Sequence, residues 1–187
     1  MPRRSKYIAL LIALLLVLFA AGCQPDQAAT APPAPVKAPE QHPSPPAPAT
    51  MSVTVYFATK DASFLVPETR ILPKNDHPIR TAIEQLLGEP KNAALVRALP
   101  EGTKLKGITV KDHIAYVDFN DKLIKNGSGG SAGELLAVGA IVNTLTEFAD
   151  IEQVQIMVEG KKVNTLYGHV DTSEPLSRSE KIVKKTL

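Results

Sequence analysis

The sequence predicts a single α+β domain of order β-β-α-β-β-α-β, in which two helices pack on one face of a mostly antiparallel sheet. Two kinds of periodicity support this fold class. Strand-like alternation begins at residue 51 and returns at 151–159, whereas helical spacing covers 78–87 and 131–148. A third observation is that the strands come in pairs joined by short turns. Local pairing favours antiparallel neighbours, with the helices gathered on one face.

The domain is predicted to open with two strands. Val53, Val55 and Phe57 alternate with polar residues, as expected for a half-buried strand. A second extended segment, 64–72, follows a short polar turn, and Pro67 within it indicates a sheet edge or a bulge because proline cannot donate to a β-ladder.

The first helix is predicted over residues 78–87, where apolar residues recur with the spacing of an amphipathic helix. They are Ile79, Ala82, Ile83, Leu86 and Leu87. Proline at the first turn, and Gly88 and Pro90 at the end, are the expected start and stop signals.

The second half of the domain contains the remaining predicted elements. These are a hairpin of strands 104–110 and 114–119, a long helix over 131–148, a strand over 151–159 and a short extended piece over 163–166. The hairpin strands are joined tightly at Lys111-Asp112-His113.

Residues 1–22 have the pattern of an export signal. Arg3, Arg4 and Lys6 precede an apolar run over 7–19, and small residues then lead to Cys23. The segment Phe19-Ala20-Ala21-Gly22-Cys23 resembles the lipobox of bacterial lipoproteins. That resemblance implies a lipid on the Cys23 sulfur, cleavage before it, and anchoring through two or more fatty acyl chains such as palmitate.

The alternative for this segment is an uncleaved membrane anchor with an incidental cysteine. Because Cys23 is the only cysteine, an internal disulfide and a zinc site with cysteine ligands are excluded.

Between the lipidation site and the domain, residues 23–50 are predicted to form a disordered tether. Nine of the 27 residues after Cys23 in this segment are proline, and Val36 is its only aliphatic residue larger than alanine, so it cannot build a core. The domain is predicted over 51–178 and a C-terminal tail over 179–187.

The charge balance argues against nucleic-acid binding. The full chain carries a formal charge of +2, but three of its 21 basic residues lie in the signal. The remaining 18 basic and 19 acidic residues leave a charge of −1, which provides no electrostatic footprint for DNA or RNA.

The segment Gly129-Gly130-Ser131-Ala132-Gly133 matches G-x-S-x-G, the nucleophile elbow of serine hydrolases. An elbow needs a buried strand before the first glycine, and residues 120–126 are too polar for one. We therefore interpret Ser131 and Glu134 as a capping box, in which each side chain accepts from the other's backbone amide. Anion binding by the glycine-rich helix start is a second alternative.

Two further groups of residues are candidates for function. The H-x-D pair of His169 and Asp171 lacks a third metal ligand at recognisable spacing, so we expect it to pin a loop by hydrogen bonds, with no metal and no catalytic role. Ala137, Ala140 and Thr144 form a small-residue stripe on the long helix. This stripe is a candidate interaction surface or, alternatively, part of the interior.

Several segments together resemble the GerM domain over about residues 51–178. They are Leu86-Leu87-Gly88-Glu89-Pro90, Leu99-Pro100-Glu101-Gly102-Thr103-Lys104-Leu105, Ala115-Tyr116-Val117-Asp118-Phe119, Gly130-Ser131-Ala132-Gly133-Glu134-Leu135-Leu136, Val142-Asn143-Thr144-Leu145-Thr146-Glu147-Phe148, Val154-Gln155-Ile156-Met157-Val158-Glu159-Gly160 and Gly168-His169-Val170-Asp171. The family commonly has Asp-Gly at the hairpin turn, where this chain has Asp112-His113.

This family takes its name from a bacterial sporulation and spore germination lipoprotein, and its domain is similar to the ring-building modules of envelope-spanning secretion machines. The resemblance implies a noncatalytic lipoprotein on the outer face of the cell membrane, without a cofactor, that assembles with an envelope protein or with copies of itself. The alternatives are a solute-binding envelope lipoprotein and a cell-wall hydrolase that uses Ser131.

Overall fold

Two β-sheets and three helices make up the described part of the chain, which is residues 48–185 of a computed structural model. The predicted signal, Cys23 and nearly all of the tether lie outside these residues. Within 48–185, no helix combines the length and the apolar character needed to cross a membrane.

The elements follow the predicted order, with four short additions. They are β1 (Thr50–Thr59), β2 (Leu65–Pro73), α1 (Pro78–Leu86), β3 (Leu95–Val96), β4 (Leu105–Lys111), β5 (Ile114–Phe119), α2 (Lys122–Lys125), α3 (Gly130–Leu145), β6 (Gln153–Val158), β7 (Lys161–Lys162) and β8 (Leu176–Ser177). Elements β3, α2 and β8 have four residues or fewer and no usable periodicity, so the sequence does not predict them, and β7 begins two residues before the extended piece predicted over 163–166.

The α+β class is confirmed, but the strands are divided between two sheets. The first sheet has the order β2-β1-β3 and is antiparallel, and the second has the order β4-β5-β6-β7, with β8 also paired to β6. The pairing of the named strands is mostly antiparallel, as predicted, and the exception is the parallel pair of β5 and β6; the structure corrects only the prediction of a single sheet. Parallel neighbours require a long crossover, and the 16-residue α3 supplies it.

Helix α3 lies at the centre of the domain. It contacts β1, α1 and β6, and eleven of its 16 residues are buried. Helix α1 also packs on β1 and against α3. Strand β1 is more buried than its alternating pattern suggests, since Tyr56 on its second face is only 3% exposed.

Residues 178–184 belong to the fold, although 179–187 were predicted to form a C-terminal tail. After β8 pairs with β6, the chain continues to the other sheet, where Leu65 of β2 donates to the carbonyl of Ile182 (2.7 Å) and accepts from the amide of Lys184 (2.8 Å). We call residues 178–184 the C-terminal strap. The strap connects the edge of the first sheet to the second sheet across α3. Its parallel pairing with β2, which includes Leu65 and Val183, stops at Pro67 because proline has no N–H to donate.

The β4–β5 turn confirms the predicted hairpin and shows its type. Asp112 and His113 have φ angles of +50° and +61°, so both are left-handed, as in a type I′ turn. The ring Nδ1 of His113 lies 3.3 Å from the carbonyl oxygen of Asp150, a contact that offsets part of the strain. A histidine in this conformation costs about 1 kcal/mol relative to glycine.

Replacing His113 with glycine should therefore raise the free energy of unfolding by about 0.5 kcal/mol, after the greater chain entropy of glycine in the unfolded state is subtracted. Urea denaturation of the two proteins measures the difference. Lys111→Gly is the matched control. It lies in β4 with no positive φ, so it should destabilise the domain, and the turn assignment is wrong if both variants change stability in the same direction.

Candidate functional site

The glycine-rich loop before α3 contains the residues that the sequence analysis singled out, but it contains no capping box. Helix α3 begins at Gly130 and its N-cap is Gly129, whose φ is +98°; no side chain caps this end. Ser131 is exposed and lies inside the first turn, where its hydroxyl is not positioned as an N-cap. The predicted pairing of Ser131 with Glu134 is therefore wrong, because two left-handed glycines start the helix earlier than expected.

Glu134 instead binds a distant loop. Its Oε1 accepts from the Thr165 hydroxyl (2.5 Å) and the amides of Leu166 and Tyr167 (2.8 Å each), and its Oε2 accepts from the amide of His169 (2.7 Å). The side chain is fully buried. We call this arrangement the Glu134 clasp; it attaches the loop of residues 165–169 to the first turns of α3.

The ionisation of Glu134 follows from these contacts. Burial alone would raise its pKa, but the hydrogen bonds from Thr165, Tyr167, His169 and Leu166 outweigh burial and hold the pKa below the usual glutamate value. The carboxylate is therefore charged at neutral pH, and four donors take the place of water around it.

Close packing explains two of the loop glycines. A Cβ atom on Gly133 would lie 2.7 Å from the carbonyl oxygen of Ser128, and one on Gly127 would overlap the ring of Tyr167. The backbone of the loop thus lies directly against the aromatic residue that the Glu134 clasp holds in place. Glycine at these positions has a packing role.

These contacts predict opposite results for two neighbouring substitutions. Ser131→Ala should change the free energy of unfolding by less than about 0.5 kcal/mol, because the hydroxyl caps nothing. Gly133→Ala should cost about 1–3 kcal/mol, because the new methyl group meets backbone. Chemical denaturation tests both, and a loss of 1 kcal/mol or more in Ser131→Ala would restore the capping role.

The structure provides no support for Ser131 as a nucleophile. Within residues 48–185 its hydroxyl has no hydrogen bond to a histidine, and it does not line the cleft of about 190 Å³ beside the glycine-rich loop, which Ser128 and Tyr167 border. The loop at His169 and Asp171 is held by hydrogen bonds, through the backbone amide of His169 and the carboxylate of Asp171. The amide of His169 donates to Glu134, while Asp171 accepts from the amide and hydroxyl of Ser173 at 2.9 and 2.6 Å.

The small-residue stripe is not a surface. Ala137, Ala140 and Thr144 are all 0% exposed, and the Thr144 hydroxyl oxygen accepts from the backbone amide of Tyr56 (3.3 Å). The predicted interaction surface on these residues is therefore wrong, and the interior alternative is correct. The physical reason is the central position of α3, which contacts β1, α1 and β6 and leaves Leu135 as its one exposed large apolar side chain.

A polar cluster that the sequence analysis missed attaches the C-terminal strap. Arg178 contacts the Glu147 carboxylate (2.8 Å), the Tyr56 hydroxyl (2.5 Å) and the carbonyl oxygen of Asn143 (3.0 Å). Burial and the hydrogen bond to Glu147 raise the pKa of Tyr56 to about 12, so its hydroxyl stays protonated and donates to Glu147 (2.6 Å). Arg178 also pairs with Glu180 two residues further on, but Tyr56, Asn143 and Glu147 lie more than 30 positions before it, and no local pattern indicates these three contacts.

Arg70 is a second buried charge with a structural role. Its guanidinium pairs with Glu68 (2.8 Å), donates to the Gln85 side chain (2.9 Å) and to the carbonyl oxygen of Glu89 (2.6 Å), and lies 5.0 Å from the centre of the Phe57 ring. It fastens the end of α1 to β2. In the described residues no three histidine, cysteine or acidic side chains come together as a metal site would require.

The fold and these clusters define a small α+β domain whose buried charged side chains hold loops and chain ends together. Residues 54–164, more than half of the chain, match the family model Germane, described as sporulation and spore germination. The chain belongs to this family, which confirms the resemblance found in the sequence.

Named relatives agree with this assignment. The chain is 29% identical over 142 residues to the spore germination protein GerM of Bacillus subtilis strain 168, a match that covers 72% of this chain and 38% of the relative. It therefore spans well under half of that protein.

Two solved structures share the fold. The tandem GerMN domains of the sporulation protein GerM from Bacillus subtilis match with a TM-score of 0.60 and 26% identity, over 69% of this chain and 46% of that one. The first GerMN domain alone matches with a TM-score of 0.59 and 24% identity, over 68% of this chain and 98% of that one. The described domain thus corresponds in extent to one GerMN domain.

Proposed function

We propose that this protein is a noncatalytic lipoprotein, anchored through Cys23 to the outer face of the cell membrane, and that it acts by protein–protein assembly in the envelope during sporulation or spore germination. Membership of the Germane family supports the proposed role in sporulation or spore germination. The signal-like residues 1–22 and the lipobox support the location.

The observation that carries the assembly role is the distribution of exposed apolar side chains. Among the described residues, five large apolar side chains are exposed: Ile71 on β2 (71%), Val96 on β3 (38%) and Val110 on β4 (36%) lie on strands, whereas Leu135 on α3 (43%) and Phe64 just before β2 (41%) do not. The strands that carry Ile71, Val96 and Val110 are β2, β3 and β4, and each of them is an edge strand of its sheet. Apolar side chains beside sheet edges suit contact with another protein, since an edge offers backbone hydrogen bonds as well.

Lipidation is tested by metabolic labelling. Labelled palmitate should enter the wild-type protein and should be absent from Cys23→Ala, because the thiol is the only attachment point that the lipobox provides. Membrane fractionation should show the variant released or retained as an uncleaved precursor. Equal labelling of both proteins would contradict the proposed anchor.

Assembly is tested by crosslinking in living cells from chosen positions. A photo-reactive amino acid at Ile71, Val96 or Val110 should capture a defined protein, whereas the same group at Glu101, an exposed turn residue, should not. If no edge position captures a protein more strongly than Glu101 at any stage of growth or sporulation, the assembly function is wrong.

A further inference from the structure

The glycine-rich loop begins with a chemically reactive pair, Asn126-Gly127. Of the six asparagines in the sequence, Asn126 is the one that glycine follows. Glycine has no side chain to shield its backbone nitrogen, and its backbone adopts conformations that other residues avoid, so this nitrogen reaches the preceding side chain more easily. Asn126 is also exposed to solvent, which supplies water as a reactant.

The reaction open to this pair is deamidation through a cyclic imide. The backbone nitrogen of Gly127 bonds to Cγ of Asn126, the bond from Cγ to Nδ2 breaks, and ammonia leaves with the proton of the Gly127 amide. Water then opens the imide. Cleavage between the nitrogen and Cγ gives aspartate, whereas cleavage between the nitrogen and the main-chain carbonyl carbon gives isoaspartate.

The backbone conformation of Asn126 opposes ring closure. Its φ and ψ angles are −98° and 4°. Closure requires the Gly127 nitrogen to eclipse Cβ of Asn126 about the bond from Cα to the carbonyl carbon. Because Cα is tetrahedral, a ψ near zero leaves that nitrogen about 120° from the eclipsed position. The peptide between Asn126 and Gly127 must therefore rotate before the reaction begins.

Three contacts resist this rotation. The Gly127 amide donates to the carbonyl oxygen of Ile124 (3.0 Å), and Nδ2 of Asn126 donates to the carbonyl oxygen of Glu101 (2.8 Å). The ring of Tyr167 lies against Gly127, where an added Cβ would be 1.9 Å from the ring atom Cε1. Rotation breaks these contacts, so the loop has to open locally for Asn126 to react.

The Glu134 clasp connects this loop to the rest of the domain. Its carboxylate accepts from the amide of Tyr167 (2.8 Å) and so holds the tyrosine whose ring lies against Gly127. We propose that Asn126 is a site of spontaneous deamidation and that the Glu134 clasp suppresses the reaction by holding the Asn126–Gly127 peptide in an unreactive conformation. This chemistry needs no partner and is independent of the proposed assembly function.

Neither product fits the loop as asparagine does. An ionised aspartate at position 126 has no N–H group, so its carboxylate and the carbonyl oxygen of Glu101 would face each other as two acceptors. Isoaspartate lengthens the backbone by a methylene group beside the contact with Tyr167. Each molecule that reacts thus loses an attachment of the loop, and refolding does not restore it.

The site is tested by peptide mass spectrometry of the full-length chain, incubated either folded in buffer or unfolded in guanidinium chloride at the same pH and temperature. In the unfolded chain Asn126 should deamidate at least about tenfold faster than Asn164, which precedes threonine. Folding should slow Asn126 by at least about tenfold, because the closed loop does not react. Equal rates at the two asparagines in the unfolded chain would refute the site, and equal rates at Asn126 in the two states would refute its protection.

The role of the clasp is tested with variants of the folded protein. Glu134→Gln should deamidate at Asn126 at least about fivefold faster than wild type, because its loop opens more often. Thr165→Val, which removes the hydroxyl donor of the clasp, should act in the same direction by about threefold and keeps the test available if Glu134→Gln does not fold.

Ile83→Val is the matched control. Ile83 is buried in α1, away from the loop, so this variant lowers the stability of the domain and leaves the clasp intact. Its rate at Asn126 should stay within about twofold of wild type, because local opening of the loop does not involve α1. Equal acceleration by Ile83→Val, or wild-type rates in both clasp variants, would show that the clasp does not control the reaction.

Discussion

Replacing Glu134 with glutamine should lower the free energy of unfolding by about 3 kcal/mol at neutral pH. The Glu134 clasp needs an acceptor at both carboxylate oxygens, since Oε1 takes three donors and Oε2 takes the amide of His169. A glutamine offers one acceptor oxygen, so its NH₂ group would face a buried donor. An unsatisfied buried donor and the loss of charge-assisted bonds each cost about 1–3 kcal/mol.

The same substitution should change the dependence of stability on pH. Because the pKa of Glu134 is lower in the folded protein than in the unfolded chain, its contribution is complete above the unfolded value of about 4.3 and is lost as pH falls through the folded value. Glu134→Gln should therefore lose less stability than wild type between about pH 5 and pH 2. Urea titrations across this range provide the measurement.

Glu152→Gln is the matched control for this prediction. Glu152 is exposed, and its carboxylate makes no hydrogen bond or ion pair within residues 48–185, so its neutralisation should change stability by less than about 0.5 kcal/mol. If Glu134→Gln is as stable as Glu152→Gln at pH 7, the clasp does not hold the 165–169 loop.

Deleting residues 179–187 should destabilise the domain by about 4 kcal/mol. The deletion removes Ile182, whose side chain packs against Gly139 and Leu65, and thereby returns apolar surface to water. It also removes both partners of the fully buried Asn143 side chain, which donates to the carbonyl oxygen of Ser179 (2.9 Å) and accepts from its amide (3.0 Å). The buried amide would be left without its partners.

The measurement is the urea midpoint of chains that begin at residue 24 and end at 178, 185 or 187. Ending the chain at 185 keeps the whole C-terminal strap and should leave the midpoint within error of the full chain. If the chain ending at 178 unfolds at the same urea concentration as the full chain, the strap contributes no stability and the boundary predicted from the sequence at 178 stands.

Local patterns were sufficient for the main elements of this fold. Helix α1 was predicted with its first residue correct, because its apolar stripe, its proline and its terminal glycine are all signals within ten residues of one another. The β4–β5 hairpin was predicted for the same reason. The parallel pairing of β5 with β6 was not predicted, because nothing within either strand indicates that α3 carries the chain across to form this pair.

Glu134 illustrates the limit for the candidate site. From the sequence, the nearest donor to its carboxylate is the backbone of Ser131, three residues away, and a capping box was the reasonable prediction. In the folded chain the carboxylate meets four donors that lie 31 to 35 residues further on, which together outweigh any local bond. Ala137, Ala140 and Thr144 failed in a similar way, because small residues along a helix indicate close approach without indicating which element approaches.

The sequence by itself determined the α+β class, the order of the main strands and helices, and the family, because each depends on short-range periodicity, on turn residues or on segments read in order. Only the tertiary structure decided the division into two sheets, the Glu134 clasp and the attachment of the C-terminal strap through Arg178 and Asn143. Each of these depends on hydrogen bonds and packing between residues more than 30 positions apart. Such contacts are selected by the geometry of the whole folded chain, in which buried polar groups must find partners, and a local pattern does not contain that geometry.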